Sequence, residues 1–234
     1  MSRGTEILET LRGGVVVSCQ AYPGEPMRDP ATMARMAMAS RDGGAVGIRA
    51  QGLTDIARIG SMVDLPLIGL VKEGTEGVVI TPTLALALEV ARAGADVVAI
   101  DATGRPRPDG STTAEIVRAV HEETGRLVMA DVSTREEGRA AREAGIDLVG
   151  TTLSGYTPHS PRREGPDLDL VEDLAGDLDV PVLAEGRIHR PEHVTEALGR
   201  GAFAVVVGTA ITHPTTLTRW FVEAAHPGAF APRP

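Results

Sequence analysis

A single-domain (β/α)8 barrel is the fold this sequence predicts, and three observations predict it. Short apolar runs rich in Val and Ile, too short for helices, alternate with helical patterns from one end of the chain to the other, and there are eight of them. The runs are nearly continuous in hydrophobicity, as strands covered on both faces require, so the sheet is parallel. A glycine-led aliphatic segment also recurs about every 50 residues, which is two strand–helix units: Gly43-Gly-Ala-Val-Gly-Ile, Gly94-Ala-Asp-Val-Val-Ala-Ile, Gly145-Ile-Asp-Leu-Val-Gly and Gly201-Ala-Phe-Ala-Val-Val-Val-Gly. A doubly wound open sheet would need edge strands with a polar face, and none is present.

In chain order, the first strand is residues 14–20, and Asp29-Pro30 then caps a helix with proline at its first position. Strands follow at 45–49 and 67–72, and Thr81-Pro82 reads as the next such cap. That helix ends on Ala93-Gly94-Ala95-Asp96 before the strand at 97–101. Thr112-Thr-Ala-Glu115 reads as a capping box ahead of the strand at 127–131, and Ser133-Thr-Arg-Glu136 as another behind it. Ala144-Gly145-Ile146-Asp147 closes the latter helix before the strand at 148–152, and the last strands are 182–185 and 204–208. The barrel occupies 1–226; residues 227–234 carry neither period and form a loose tail.

The 234 residues are 42% apolar, 24% charged and only 3% aromatic, so the core is aliphatic. A net charge of -9 with no basic run argues against nucleic-acid and membrane partners. The N-terminus does not read as a signal peptide, and a single cysteine fits a reducing, cytoplasmic setting. Of the 23 basic residues, 22 are arginine; the exception is Lys72. Arginine is not deprotonated in proteins, whereas a lysine amine is tuned by burial and neighbours into a base, an acid or a Schiff-base former.

Active sites of such barrels form at the C-terminal strand ends, here Gln20, Arg49, Lys72, Asp101, Asp131, Thr152, Glu185 and Gly208. A ring dominated by charged and amide side chains around one mouth is costly unless it binds something. Gly186 and Gly208-Thr209-Ala210 supply bare backbone at the seventh and eighth ends, where barrels of this kind commonly cradle phosphate, and Arg187 adds a charge. Cys19 reads as core packing, and so does the Met27, Met33, Met36, Met38 series. The six histidines offer no metal-ligand pair: His189 and His193 are four apart, but Pro191 lies between them. No glycine-rich nucleotide loop is present, since Gly43 and Gly44 precede a strand.

At these residues the sequence resembles the N-acetylmannosamine-6-phosphate 2-epimerases of sialic acid and amino-sugar catabolism. Val17-Ser-Cys-Gln20-Ala21, Gly43 to Ala50, Ile80-Thr-Pro-Thr83, the stretch from Asp101 to Gly110, Leu153-Ser-Gly-Tyr-Thr157 and Ala184-Glu-Gly-Arg187 carry the resemblance, which spans about residues 11–225. It implies Lys72 and Glu185 as the catalytic pair. It places Gln20, Arg49 and Asp131 on the sugar, and Gly186, Arg187, Gly208 and Thr209 on the phosphate. It also implies a homodimer. Two positions depart from the family pattern. His213 stands where an arginine usually supports the phosphate, which ties phosphate affinity to pH. The loop Lys72-Glu-Gly-Thr-Glu-Gly77 lacks the usual aromatic, which alters the lid over the sugar and the acyl preference.

The residue types suit this chemistry on their own terms. Inverting C2 of an open-chain 2-acetamido sugar needs a base, an acid and a group that steadies an enediolate oxygen. Lys72 and Glu185 supply the first two, and Gln20 and Arg49 the third, with no metal or redox cofactor required. Burial and Arg49 lower the lysine pKa while Glu185 raises it, so residue types alone leave the net direction open. Two other readings fit the same residues: a Schiff-base aldolase or synthase acting through Lys72 on a phosphorylated sugar, and a sugar-phosphate-binding protein without turnover.

Overall fold

A computed structural model describes residues 2–230. Eight parallel strands close on themselves in sequence order: β1 (Val15–Cys19), β2 (Gly47–Gln51), β3 (Leu67–Leu70), β4 (Val97–Asp101), β5 (Leu127–Asp131), β6 (Leu148–Gly150), β7 (Val182–Glu185) and β8 (Ala204–Val207), the last pairing with the first. The (β/α)8 barrel read from the sequence is the observed fold.

Strand side chains alternate between the barrel lumen and the helical layer. Val16, Ile68, Leu70, Val97, Ala99, Met129, Leu148, Leu183, Ala204 and Val206 pack inside. Their neighbours Val17, Cys19, Ile48, Val98, Ile100, Val128 and Val149 pack outward under the helices. This parity decides the chemistry of the mouth: one more step of two along the chain turns Ser18, Gln20, Arg49, Lys72, Asp131, Thr152 and Glu185 inward above the lumen core. Cys19 lies on the outward face, fully buried, where burial pushes its thiol up to about 12, with neighbouring Ser40 opposing the rise.

The opposite end is closed by α1 (Arg3–Leu11), a helix the strand-and-repeat reading does not contain. Ser2 caps it, accepting from the Thr5 amide, and Ile7 and Leu11, one turn apart, drop into the lumen. Gly47 makes room: a Cβ there would stand 2.7 Å from Leu11 Cδ2.

Helix starts follow the local capping chemistry, with two corrections. Asp29 caps α2 (Pro30–Asp42) and Thr112 with Glu115 forms the capping box of α5 (Thr113–Thr124), as the sequence predicts. The cap of α4 (Leu84–Arg92) is Thr83 rather than Thr81, because the Thr81 hydroxyl instead donates to Ala99 O at 2.7 Å and its backbone is left-handed (φ 43°). The box of α6 (Arg135–Glu143) is Thr134 with Glu137, one residue later than predicted, and Ser133 donates its own hydroxyl to the same Glu137. The third strand also ends earlier than expected. It stops at Leu70, and Lys72 pairs antiparallel with Ile80 in an arm that rises from the strand.

The remaining helices are α3 (Leu53–Gly60), α7 (Leu168–Asp177), α8 (Pro191–Gly199), the one-turn α9 (Thr209–Thr212) and α10 (Pro214–Ala225). None of the described helices is long and apolar enough to cross a membrane. Of the predicted tail, the Gly228 and Phe230 amides donate to the Glu223 carboxylate on α10, and residues 231–234 lie outside the described residues.

Candidate active site

A cavity of about 340 Å³ opens at the C-terminal strand ends, inside the range of roughly 300–1,000 Å³ common for small-molecule sites. Gln20, Lys72, Glu185, Gly186, Arg187, Gly208, Thr209 and His213 all line it. Arg49 and Asp131 do not: they lie directly beneath its floor, 1% and 0% exposed.

That buried pair organises the floor. Arg49 Nη1 and Nη2 donate to Asp131 Oδ1 and Oδ2 at 3.1 and 2.6 Å, a two-pronged contact. Nη1 also reaches Glu185 Oε2 at 2.5 Å. Thr152 donates to Asp131 Oδ1 at 2.6 Å. Inward-facing Gly150 leaves room for this, since a Cβ would stand 2.3 Å from Met129 Cε and 3.2 Å from Asp131 Oδ1. Burial alone would lower the Arg49 pKa, but the charges of Asp131 and Glu185 outweigh it and hold the guanidinium protonated.

Glu185 closes β7 with its side chain 12% exposed. Thr151 fixes its backbone twice, accepting from the Glu185 amide and donating to its carbonyl, both at 3.0 Å. Burial pushes the Glu185 carboxyl up to about 7; Arg49 pulls the other way, Asp131 adds to the rise, and Thr152 and Lys72 lower it. A carboxyl poised near neutrality next to a permanent cation both takes and gives a proton.

Lys72 reaches into the mouth from the arm above β3, and Nζ donates to Gln20 Oε1 at 2.9 Å. Gln20 in turn donates through Nε2 to the Ser18 hydroxyl at 2.8 Å. Water reaches Lys72, yet its amine stands among enclosing protein atoms. That enclosure lowers its pKa first and the Arg49 charge second, with Glu185 and Asp131 opposing. The net direction left open by residue types is downward, tempered by the remaining solvent contact.

At the other end of the mouth, Gly186 (φ 107°) and Gly208, the cap residue of α9, present backbone without side chains. Arg187 is left-handed (φ 55°), and its guanidinium is taken up by loop carbonyls and a tyrosine ring. Nε donates to Gly165 O at 2.7 Å and Nη1 to Ser154 O at 2.8 Å, and the group stacks 5.1 Å over the Tyr156 ring. His213 joins α9 to α10, 6% exposed, with its ring 5.0 Å from Tyr22. His213 Nδ1 is buried without a hydrogen-bond partner among the described residues, 3.6 Å from Glu25 Oε2. Burial lowers the His213 pKa most, Glu25 raises it and Lys72 lowers it.

Asp101, grouped with this ring from its strand-end position, does not join it. Its carboxylate accepts from Arg105 Nη2 at 2.6 Å and from the Thr103 hydroxyl at 2.7 Å in the loop after β4. Conversely, Ser18, Tyr22 and Tyr156 line the mouth without having been singled out as site residues. Ser18 shares the inward parity of Gln20, a signal the strand pattern already carried; the tyrosines sit in loops, where no period places them.

A family described as "Putative N-acetylmannosamine-6-phosphate epimerase" matches residues 33–227. A protein of Cutibacterium acnes, named "Putative N-acetylmannosamine-6-phosphate 2-epimerase", is 53% identical over 220 residues, covering 93% of this chain and 96% of its own. A protein of the same name from Caldanaerobacter subterraneus subsp. tengcongensis is 52% identical, covering 93% of each. The solved structure of the N-acetylmannosamine-6-phosphate 2-epimerase from Clostridium perfringens superposes with a TM-score of 0.90 at 43% identity, over 93% of this chain and 95% of that one.

Proposed function

The chain belongs to the N-acetylmannosamine-6-phosphate epimerase family, and from that premise we propose how its mouth performs the reaction. The enzyme interconverts N-acetylmannosamine 6-phosphate and N-acetylglucosamine 6-phosphate by inversion at C2, an isomerisation of amino-sugar and sialic acid catabolism. Lys72 and Glu185 are the proton carriers, one for each face of C2. The observation that carries this assignment is that the two groups line one cavity at the C-terminal strand ends, where burial raises the carboxyl and lowers the amine from their ordinary values. Each is thereby shifted from its ordinary value toward neutrality, the direction a reversible epimerisation needs.

Removal of the C2 proton from the open-chain aldehyde leaves an enediolate whose oxygen develops charge. Gln20, held by Ser18, and the Lys72 ammonium form the donor set nearest that end of the mouth. Arg49 and Asp131 act from below the floor: Arg49 steadies the carboxylate form of Glu185, and Asp131 holds Arg49 and Thr152 in place. The phosphate rests on the backbone of Gly186, Gly208 and Thr209, with His213 alongside. Arg187 shapes this end through the loop carbonyls it grips, and its charge lends long-range attraction to the anion. The chemistry draws on these side chains alone, without a cofactor.

A homodimer is part of the same reading. No side chain of α10 is fully buried, and Trp220 and Phe221 stand 39% and 79% exposed on it, an apolar face suited to a second copy. A cytoplasmic location accords with one unpaired, buried cysteine and a phosphorylated substrate. Incubating the purified protein with N-acetylmannosamine 6-phosphate tests the activity: formation of the gluco epimer with no added metal is the expected outcome, and absence of turnover at saturating substrate would leave only a binding protein.

A further inference from the structure

The arm that carries Lys72 is held by a residue outside the cavity. Val71 and Thr81 face each other at its base, with the Thr81 amide donating to Val71 O at 2.7 Å and the Thr81 hydroxyl accepting from the Val71 amide at 3.3 Å. Above them Lys72 bridges to Ile80, and the Glu73 amide donates to Val79 O at 3.1 Å. Thr81, completely buried, is left-handed at φ 43°, a conformation that is strained for a residue with a branched Cβ and persists only where its surroundings impose it.

Arg107, in the loop between β4 and α5, is what its carbonyl meets. Nη1 donates to Thr81 O at 3.2 Å and Nη2 donates to Asp101 O, so one guanidinium ties the strained residue of the arm to the end of β4. The Asp101 amide donates in turn to Ile80 O at 3.0 Å, the residue that Lys72 bridges. Arg107 does not line the mouth and touches none of the groups assigned to the reaction.

We propose that Arg107 is a positioning residue for Lys72, holding the arm in the left-handed turn at Thr81 that aims the amine at Gln20 and the substrate. The inference rests on the reading of Lys72 as a proton carrier. Without Arg107, Thr81 relaxes toward an ordinary backbone conformation, the peptide that pairs with Lys72 turns, and the amine swings outward into water.

Because Lys72 is the only lysine, a protein grown with 13Cε-lysine gives one lysine side-chain resonance, and its pH titration follows this amine directly. In Arg107→Ala the titration is expected to move upward toward the ordinary lysine value of about 10.4, with kcat reduced about tenfold and KM little changed. Guanidinium ion added to the buffer should restore part of both. Arg107→Gln, which keeps a donor without adding a second lysine, should fall between and provides the measurement if the alanine variant folds poorly. An unchanged kcat and lysine titration in these variants would overturn the proposal, as would a loss of kcat with no movement of the resonance and no rescue. Lys72→Arg separates the two ideas. If it retains C2 exchange, the reading of Lys72 fails; if it abolishes exchange while Arg107→Ala stays fully active, only the positioning role fails.

Discussion

Arg49 holds Glu185 from underneath: Nη1 lies 2.5 Å from Oε2, with the guanidinium shut off from solvent by the residues of the cavity floor. A carboxyl that burial raises to about 7 is thereby kept within reach of both protonation states. The same guanidinium depends on Asp131, so one buried cation connects the fold's stability to its chemistry.

Removing the Asp131 charge should therefore be felt first in stability. Asp131→Asn leaves a fully buried arginine with Glu185 as its remaining counter-charge and is expected to destabilise by about 3 kcal/mol, at the low end for a broken buried pair. Urea denaturation measures this. A loss below about 1 kcal/mol would show that Glu185 alone suffices for Arg49.

The pH profile of kcat/KM should be bell-shaped, and its limbs follow from the two shifts. One direction of reaction needs Glu185 ionised and Lys72 protonated; the other needs the reverse protonation of the pair, which gives the same limiting pKa values. Glu185 is raised, so activity falls as pH drops through about 7 instead of through the ordinary glutamate range of about 4.3. Lys72 is lowered, so activity falls on the alkaline side before the ordinary lysine value of about 10.4. An acid limb at the ordinary glutamate position would contradict the assignment of Glu185.

His213 should make substrate affinity pH-dependent. Burial holds its pKa down, so it is mostly neutral above its ordinary range, and a bound phosphate favours the protonated ring. KM is thus expected to rise with pH across the histidine range while kcat follows the other pair. Since the phosphate titrates too, with a second pKa of about 6, the comparison is with His213→Arg, which carries a permanent charge. That variant should lose the histidine component and bind about tenfold more tightly at pH 8, the worth of about 1.4 kcal/mol from one charge-assisted bond. Parallel KM profiles in the two proteins would remove His213 from the phosphate end.

The barrel was legible because parallel strands and their helices leave a period in the chain, and the mouth because strand ends follow from the strands. Lys72, Glu185 and Gln20 are read this way and do meet in one cavity. The depth of each residue was not legible. Arg49 and Asp131 share the inward parity of Glu185 but sit a level lower, because barrel stagger sets height and neighbouring strands enter at different registers. Side-chain competition was equally hidden: Asp101 is taken up by Arg105 and Thr103, and Arg187 by two loop carbonyls. Capping signals erred by one or two residues where another partner claimed the hydroxyl, as Ala99 O claims Thr81. The α1 plug left Ile7, Leu8 and Leu11 as its trace, too short a pattern to stand out.

Deuterium exchange at C2 tests the central claim most directly. N-acetylmannosamine 6-phosphate in deuterated water should gain deuterium at C2 and epimerise with the wild-type protein. With Lys72→Arg, which keeps the positive charge and discards the titratable amine, exchange and epimerisation should both fall by about 10²-fold or more while circular dichroism stays unchanged. Exchange at the wild-type rate in the Lys72→Arg protein would contradict the assignment of Lys72 as a proton carrier.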